Sequence, residues 1–203
     1  MPLREFDIAI IGGGPGGYVA AIRASQLGFK TAIIEKAQLG GVCLNWGCIP
    51  TKALLKNAEI YNQFKHAEQF GISYSNLKVD FKKVIERSRK VALLNSKGVE
   101  YLMKKNKIEH ISGFGKLKSK GTIEISKDGK VTEEIKSKHT IISTGARPRT
   151  IPGITVDGKK VITSSEAMTL QSIPKSMIII GAGAIGIEFA YFYNAFGTKV
   201  TIV

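Results

Sequence analysis

Two cysteines, six prolines, one tryptophan and three histidines in 203 residues leave the chain poor in the residue types that staple, kink or ligate. So few cysteines exclude a disulfide-built secreted scaffold. His66, His110 and His139 fall in a polar helical stretch, at the end of a charged segment and at the start of a strand. None of these settings suits a general base, and no metal site is expected. No run approaches the roughly 20 apolar residues of a membrane-spanning helix. The early acids Glu5 and Asp7, followed by a glycine-rich stretch, are unlike a signal peptide, so a cytoplasmic setting is expected. Acids are scarce too, 16 against 30 basic residues, giving a formal net charge of +14. Lys65, Lys82, Lys83, Lys104, Lys105, Lys116 and Lys159 are nevertheless scattered, with no basic stripe interleaved with aromatics. Excess charge of that kind bears on solubility and non-specific contact, so no nucleic-acid site is expected. What the chain does have is 43% hydrophobic residues and 22 glycines, enough for a buried core in a turn-rich α/β protein.

Both cysteines lie in one run, Gly40-Gly41-Val42-Cys43-Leu44-Asn45-Trp46-Gly47-Cys48-Ile49-Pro50-Thr51-Lys52. A structural disulfide acts mainly by closing a long loop in the unfolded chain, and four intervening residues close almost nothing. On an ideal helix, residues five apart lie roughly 8.7 Å apart at Cα, beyond the ~7 Å that an unstrained bridge tolerates. Bridging Cys43 to Cys48 therefore needs a distorted turn, for which Gly47 and the Gly40-Gly41 pair are suited, while Pro50 suits the first turn of a following helix. A strained bridge is easily reduced, as a catalytic dithiol requires. The competing view is two buried thiols acting as small apolar residues.

The flanking segments decide against that view. Phe6-Asp7-Ile8-Ala9-Ile10-Ile11 is a short apolar strand entering Gly12-Gly13-Gly14-Pro15-Gly16-Gly17, then a helical pattern from Tyr18 to Leu27. Gly12, Gly14 and Gly17 match the dinucleotide fingerprint: a tight turn, backbone access for a diphosphate, and close packing of helix on strand, with the helix N-terminus holding the anion. Thr31-Ala32-Ile33-Ile34-Glu35 reads as the next strand, ending in an acid placed to accept from a ribose, with Lys36 beside it. The same grammar returns in Met177–Ile180, then Gly181-Ala182-Gly183-Ala184-Ile185-Gly186, a helix to Phe196 and a strand from Lys199 to Val203. Two dinucleotide sites are expected. In the first unit the acid follows the leading glycine by 23 residues, so its counterpart falls at position 204, one beyond Val203. We therefore expect a chain cut inside its second βαβ unit, without the residue that chooses between NAD and NADP.

Two nucleotide sites beside a CxxxxC pair imply an electron relay between a tightly held flavin, a pyridine nucleotide and a thiol substrate. On these motifs the chain resembles the pyridine nucleotide-disulfide oxidoreductases over essentially all of its length. Within that family, Gly41 to Lys52 is most similar to members that oxidise protein-tethered dihydrolipoyl groups; Leu44, Trp46, Ile49 and Thr51 favour them over the glutathione and mercuric reductases. The resemblance implies that Cys43 exchanges with the substrate dithiol, that Cys48 faces the flavin, and that Lys52 lies against the flavin and pairs with Glu188. It also implies contacts to the nucleotides from Gly41, Val42, Gly115 of the Gly113-Phe114-Gly115 turn, and Thr144-Gly145-Ala146. FAD and NAD are the implied cofactors. The implied partners are a lipoyl domain of a 2-oxoacid dehydrogenase or glycine cleavage complex and, at full length, a second copy of the chain. That second copy supplies the general base from a C-terminal domain, so the 203-residue chain is expected to be nearly inactive alone. A thiolate beside a lysine is also stabilised on general grounds. The remaining alternative is a nucleotide-binding module whose cysteines are relics.

Between the motifs, Ile49 to about Ala67 is expected to be helical, followed by a polar gap through Ser75. A long helix is expected from Phe81 to about Lys105, with Val84, Val91, Leu94 and Leu102 as its apolar positions. Gly115 to Lys138 alternates through Leu117, Ile123, Ile125, Val131 and Ile135, suggesting a small antiparallel meander. Arg147 to Gly153 reads as a linker, and Ser164-Ser165-Glu166 as the cap of a short helix before Pro174. The expected fold is α/β: a Rossmann-like FAD-binding domain with a β-meander over 1–149, incomplete, then the start of a Rossmann-like NAD-binding domain over 150–203.

Overall fold

The computed structural model describes residues 3–203, which divide into two compact units, 3–45 with 93–147, and 46–92 with 148–203. In the first unit, β1 (Arg4–Ile11), β2 (Thr31–Glu35), β3 (Glu109–Ser112) and β6 (Lys130–Ile142) pair in parallel. Antiparallel β5 (Thr122–Lys127) and β4 (Phe114–Ser119) extend the sheet, giving the order β3-β2-β1-β6-β5-β4. The central strands read as continuous apolar runs because both faces are covered: Ala32, Ile33 and Ile34 are buried, as are Ala9, Ile10 and Ile11. Helix α1 (Pro15–Gln26) links β1 to β2 and buries Gly17, Ala21 and Ala24.

The second unit holds α3 (Cys48–Lys65), a 3-10 turn at Ala67–Phe70, α5 (Ser164–Ala167), β7 (Ser176–Ile179), α6 (Ala184–Ala195) and β8 (Lys199–Ile202). Strands β7 and β8 pair in parallel, so strand, helix and strand repeat the order of the first unit. Its core is aromatic: Phe81, Phe189, Phe192 and Tyr193 are buried together with Leu54, Ile85 and Met168, and the Phe192 and Tyr193 rings meet edge to face at 4.9 Å. Helix α4 (Phe81–Lys105) contributes its first half to this unit and its second half to the other.

Several details differ from the sequence expectations. Residues Gly41–Trp46 form a short helix, α2, that the glycines and the cysteine spacing did not suggest. Leu94 on α4 is 59% exposed; the buried stripe is Phe81, Ile85, Ser88, Ala92, Ser96, Val99 and Met103. Two serines complete that stripe because their hydroxyls donate to buried carbonyls, Ser88 to Pro50 O at 3.1 Å and Ser96 to Leu39 O at 2.7 Å. The β-meander is continuous with the parallel sheet, since the 13-residue β6 pairs with β5 at its start and with β1 further on. Ile123, Ile125 and Ile135 are buried in it, whereas Leu117 and Val131 are exposed. Gly115 lies within β4 rather than in a turn. Edge strand β3 was not anticipated because Glu109-His110-Ile111-Ser112 has one apolar residue in four. Thr163, not Ser164, caps α5: its side chain accepts from the Ser165 N–H, and the Thr163 N–H donates to Glu166 Oε2 at 2.7 Å. Residues 46–92 group with the second unit, while the other boundary, at 147/148, falls at the start of the expected linker.

The buried Tyr193 hydroxyl donates to the Ala167 carbonyl, and burial pushes its pKa above the ordinary value of 10.0. The folded chain thus keeps this proton at a pH where the unfolded chain loses it, so the contribution is whole below about pH 10 and falls as pH rises beyond that. Tyr193→Phe is expected to cost about 1 kcal/mol at neutral pH. In paired denaturant titrations, the gap between parent and variant should narrow above pH 10.

Candidate functional site: two glycine turns and the cysteine segment

In the first unit, three loops meet at the carboxyl ends of β1, β2 and β6, where open α/β sheets place their ligands. Gly12 has φ +105° and its N–H donates to Ile34 O at 2.8 Å. A Cβ at Gly12 would lie 2.2 Å from Ser143 O, and one at Gly17 only 1.8 Å from Gly12 O. The backbone of α1 is thus pressed against the turn it leaves. The second loop reaches the same turn: the Gly40 N–H donates to Gly13 O at 2.8 Å, and a Cβ at Gly41 would stand 2.6 Å from Gly14 Cα. The third enters through Ser143, whose N–H donates to Ile11 O at 2.8 Å and whose hydroxyl lies 3.2 Å from the carbonyls of Ile11 and Gly12.

Helix α1 begins at Pro15 with Gly14 as its N-cap, without a side-chain cap and without an acid in its first turn. Its positive end therefore faces outward for an anion. Glu35 orders the turn: Oε2 accepts from the Gly13 N–H at 2.7 Å and Oε1 from the Ala37 N–H at 2.8 Å. Carboxylate oxygens accept more than one hydrogen bond each, so the ribose contact expected of Glu35 is compatible with both. Gly115 packs here, its Cβ position 3.1 Å from Ile34 Cγ2. Lys36 is exposed, its ammonium 5.6 Å from the Phe114 ring. Thr144, Gly145 and Ala146 follow Ser143 on the surface, with Thr144 Cα 3.1 Å from the Gly12 Cβ position. On α2, Val42 is exposed and Cys43 half-buried. Sequence reasoning passed over Asn45, which is buried and donates from Nδ2 to the carbonyls of Leu39 and Gly41, each at 3.0 Å. A buried amide between Leu44 and Trp46 was the available signal.

In the second unit, Cys48 is the exposed first residue of α3 and carries a free thiol. One turn on, Lys52 donates to Glu188 Oε1 on α6, joining the pair that the resemblance implied. Lys52 is 60% and Glu188 24% exposed, so this ion pair adds little to stability and chiefly orients the two groups. Of the apolar residues around Glu188 on α6, Ile185 and Ile187 are exposed and Phe189 is buried. The turn from Gly181 repeats the first turn closely. Gly181 also has φ +105°, its N–H donates to Val203 O at 2.8 Å, and a Cβ at Gly186 would lie 2.1 Å from Gly181 O. Gly183 caps α6 as Gly14 caps α1, with Ala184 and Ile185 opening the helix. Nothing lies within 4 Å of a Cβ at Gly181 or Gly183. Among the described residues no cluster of His, Cys, Asp or Glu has metal-binding geometry, and no helix is long and apolar enough to cross a membrane.

A pair of glycine turns, each leading from a parallel strand into an uncapped helix and flanking a CxxxxC segment, defines a two-nucleotide dithiol-disulfide protein class. The chain belongs to the pyridine nucleotide-disulphide oxidoreductase family, whose model matches residues 6–203. It is 51% identical over 199 residues to the dihydrolipoyl dehydrogenase of Chlorobaculum tepidum and 47% identical over 207 residues to that of Bacillus subtilis. These alignments cover 98% of this chain and 42% and 44% of those proteins, so the chain spans less than half the length of the curated relatives it matches. Among solved structures, the flavoprotein disulfide reductase RclA of Escherichia coli, as a Cu(II) complex, superposes with a TM-score of 0.84 at 27% identity, over 98% of this chain and 42% of that one. Membership implies a flavin cofactor. The first turn fits one: its backbone is bare of side chains, its helix start is open to a diphosphate, and its acid, Glu35, is held in place by the Gly13 and Ala37 N–H groups.

Gly17→Ala forces a methyl group against Gly12 O and is expected to cost at least about 2 kcal/mol, from overpacking against backbone. At Gly16 the nearest atom to a Cβ is Ser143 Cβ at 3.6 Å. Gly16→Ala should be neutral or stabilising by up to ~1 kcal/mol. Thermal melts of the two variants side by side check this contrast.

Proposed function

We propose that the chain is the N-terminal part of a dihydrolipoyl dehydrogenase, a flavoenzyme that oxidises protein-bound dihydrolipoamide to lipoamide at the expense of NAD⁺. The observation carrying this reading is the Cys43–Cys48 segment running from the interlocked glycine loops into α3, where Lys52 is held by Glu188. Residues 1–149 are assigned to the FAD domain and 150–203 to the start of the NAD domain. Gly12, Gly14, Gly17, Glu35, Lys36, Gly41, Val42, Gly115 and Thr144 to Ala146 serve the first nucleotide. Gly181, Gly183, Ala184, Ile185 and Gly186 serve the second, while Lys52 and Glu188 face the flavin ring.

In the proposed exchange, one thiolate of the substrate attacks Cys43 of the closed pair. The Cys43–Cys48 bond breaks, a mixed disulfide forms at Cys43, and Cys48 departs as a thiolate. The second substrate thiol then attacks the mixed disulfide, closing the substrate's own S–S bond and releasing Cys43. Two electrons thereby rest on the cysteine pair. When bound, the flavin supplies the two-electron relay from that pair to NAD⁺. Lys52, one turn beyond Cys48 on α3, keeps a positive charge beside a sulfur that must leave as an anion, which eases departure near neutral pH. The proposed partners are a lipoyl domain of a 2-oxoacid dehydrogenase or glycine cleavage complex and a second copy of the full-length chain, in a cytoplasmic setting. Since the Gly12 and Gly181 N–H groups bond to Ile34 O and Val203 O alike, the residue after Val203 in a longer chain takes the place of Glu35. An acid there selects NAD, a basic residue NADP.

The test is a two-electron reduction of the chain loaded with FAD. The parent is expected to gain a long-wavelength absorbance band, from a thiolate beside the oxidised flavin, and Cys48→Ser is expected to bind FAD yet show no band. Flavin binding without the band in the parent would reduce the chain to a nucleotide-binding module.

A further inference from the structure

We infer that Arg89, on α4, is a positioning residue for Cys48 of the redox pair, clamping Trp46 and with it the backbone that enters α3 at Gly47. The inference rests on the proposed reading of those cysteines and goes beyond it, since Arg89 lies outside every motif that suggested the pair.

Gly47 is the hinge of the segment. Helix α2 ends at Trp46 and α3 begins at Cys48, so Gly47, with φ −151° and ψ −116°, is the one residue between them. The direction in which Cys48 leaves this hinge depends on how its two flanks are held. Consecutive residues of α4 hold both. On the far side, the buried Ser88 hydroxyl donates to Pro50 O in the first turn of α3 at 3.1 Å. On the near side, the Arg89 guanidinium lies 4.4 Å over the Trp46 ring and its Nη1 donates to Met168 Sδ at 3.6 Å.

Arg89 is unusual for a charged group. It is half-buried, burial lowers its pKa, and among the described residues no carboxylate pairs with it. Its partners are an indole face and a thioether. Stacking on an aromatic face uses the planar guanidinium in a way that lysine does not reproduce. Trp46 is 43% exposed, and the Arg89 guanidinium covers one face of its ring. A partly buried cation spent on an exposed indole, two residues from Cys48, is a costly arrangement for packing alone and a direct way of fixing a hinge.

The experiment measures the equilibrium between dithiol and disulfide forms of the chain in glutathione buffers, read by alkylation and mass. In the reaction, one molecule of glutathione disulfide takes two electrons and two protons from Cys43 and Cys48, giving two glutathione thiols and one intramolecular S–S bond. Arg89→Met, which keeps the bulk and removes the charged plane, is expected to lower this equilibrium constant about tenfold, equivalent to a change of about 30 mV in reduction potential. Arg89→Lys should fall between Arg89→Met and the parent. In a Trp46→Leu background, Arg89→Met should have no further effect. Trp46 is the sole tryptophan, so its fluorescence reports directly whether the ring has been released. An unchanged constant in Arg89→Met, or an effect that persists in Trp46→Leu, overturns the inference. So does a fall in melting temperature without a change in the constant, the mark of a merely structural role. Should Arg89→Met fail to fold, Arg89→Lys decides alone: a constant equal to the parent's overturns the clamp, an intermediate one supports it. A parent chain that never joins Cys43 to Cys48 refutes the reading of the cysteines themselves, an outcome distinct from a parent that forms the bridge and a variant that forms it equally well.

Discussion

The Gly17 backbone sits where a methyl group would be 1.8 Å from Gly12 O, and the first unit is organised around that contact. It brings the start of α1 directly onto the end of β1 and leaves the helix N-terminus facing outward. The turn then needs φ +105° at Gly12, which in turn aims the Gly12 N–H at Ile34 O and sets the end of β2 alongside. Glu35 follows by necessity, the next residue along, and its carboxylate ties down Gly13. The repetition of this geometry at Gly181 and Gly186 shows that it is a property of the motif and not of its surroundings. The first turn is packed between Ser143 and Gly41, whereas nothing lies within 4 Å of where a Cβ would stand at Gly181 or Gly183.

Polar groups position the cysteine segment through the backbone more than through direct contact. Asn45 and Ser96 both donate to Leu39 O, fixing the loop before α2, while Ser88 and Arg87 donate to carbonyls of α3. Buried side chains of this kind are stabilising only when fully partnered, and among the described residues no buried side-chain nitrogen or oxygen lacks a hydrogen-bond partner. The one ion pair in the segment, Lys52 with Glu188, is too exposed to hold structure. It leaves a charge in a set place one helical turn from Cys48.

Much of the fold was readable because its signals are local. β2 at Thr31–Glu35 and α4 at Phe81–Lys105 match the expected bounds: an apolar run between turn residues identifies a buried parallel strand, and apolar residues at helical spacing over 25 proline-free residues identify a long helix. The elements that escaped depend on partners remote in sequence. β3 is polar in three residues of four and is a strand because β2 offers it an edge. α2 contains Gly41 and ends on Trp46; its poor propensity is overridden by the Asn45 bonds at its base. On α4, Leu94 was expected at an apolar position and is exposed, whereas Ser88 and Ser96, not among the expected positions, are buried. Hydroxyls that find a carbonyl cost little to bury, and no periodicity in hydrophobicity reveals them.

For the site, residue type and spacing are what single out the candidate residues. Only glycine tolerates the positive φ and close approach at Gly12 and Gly41, a closely spaced cysteine pair can close the disulfide that a dithiol reduces, and both constraints are written in residue type and spacing. Tertiary structure decided which groups meet across long separations: Glu188 with Lys52, Ser143 with Gly12, and Arg89 with Trp46. Those meetings follow from where the strands and helices pack. A hydrogen bond or a ring stack depends on distances of a few ångströms, which spacing along a chain does not encode.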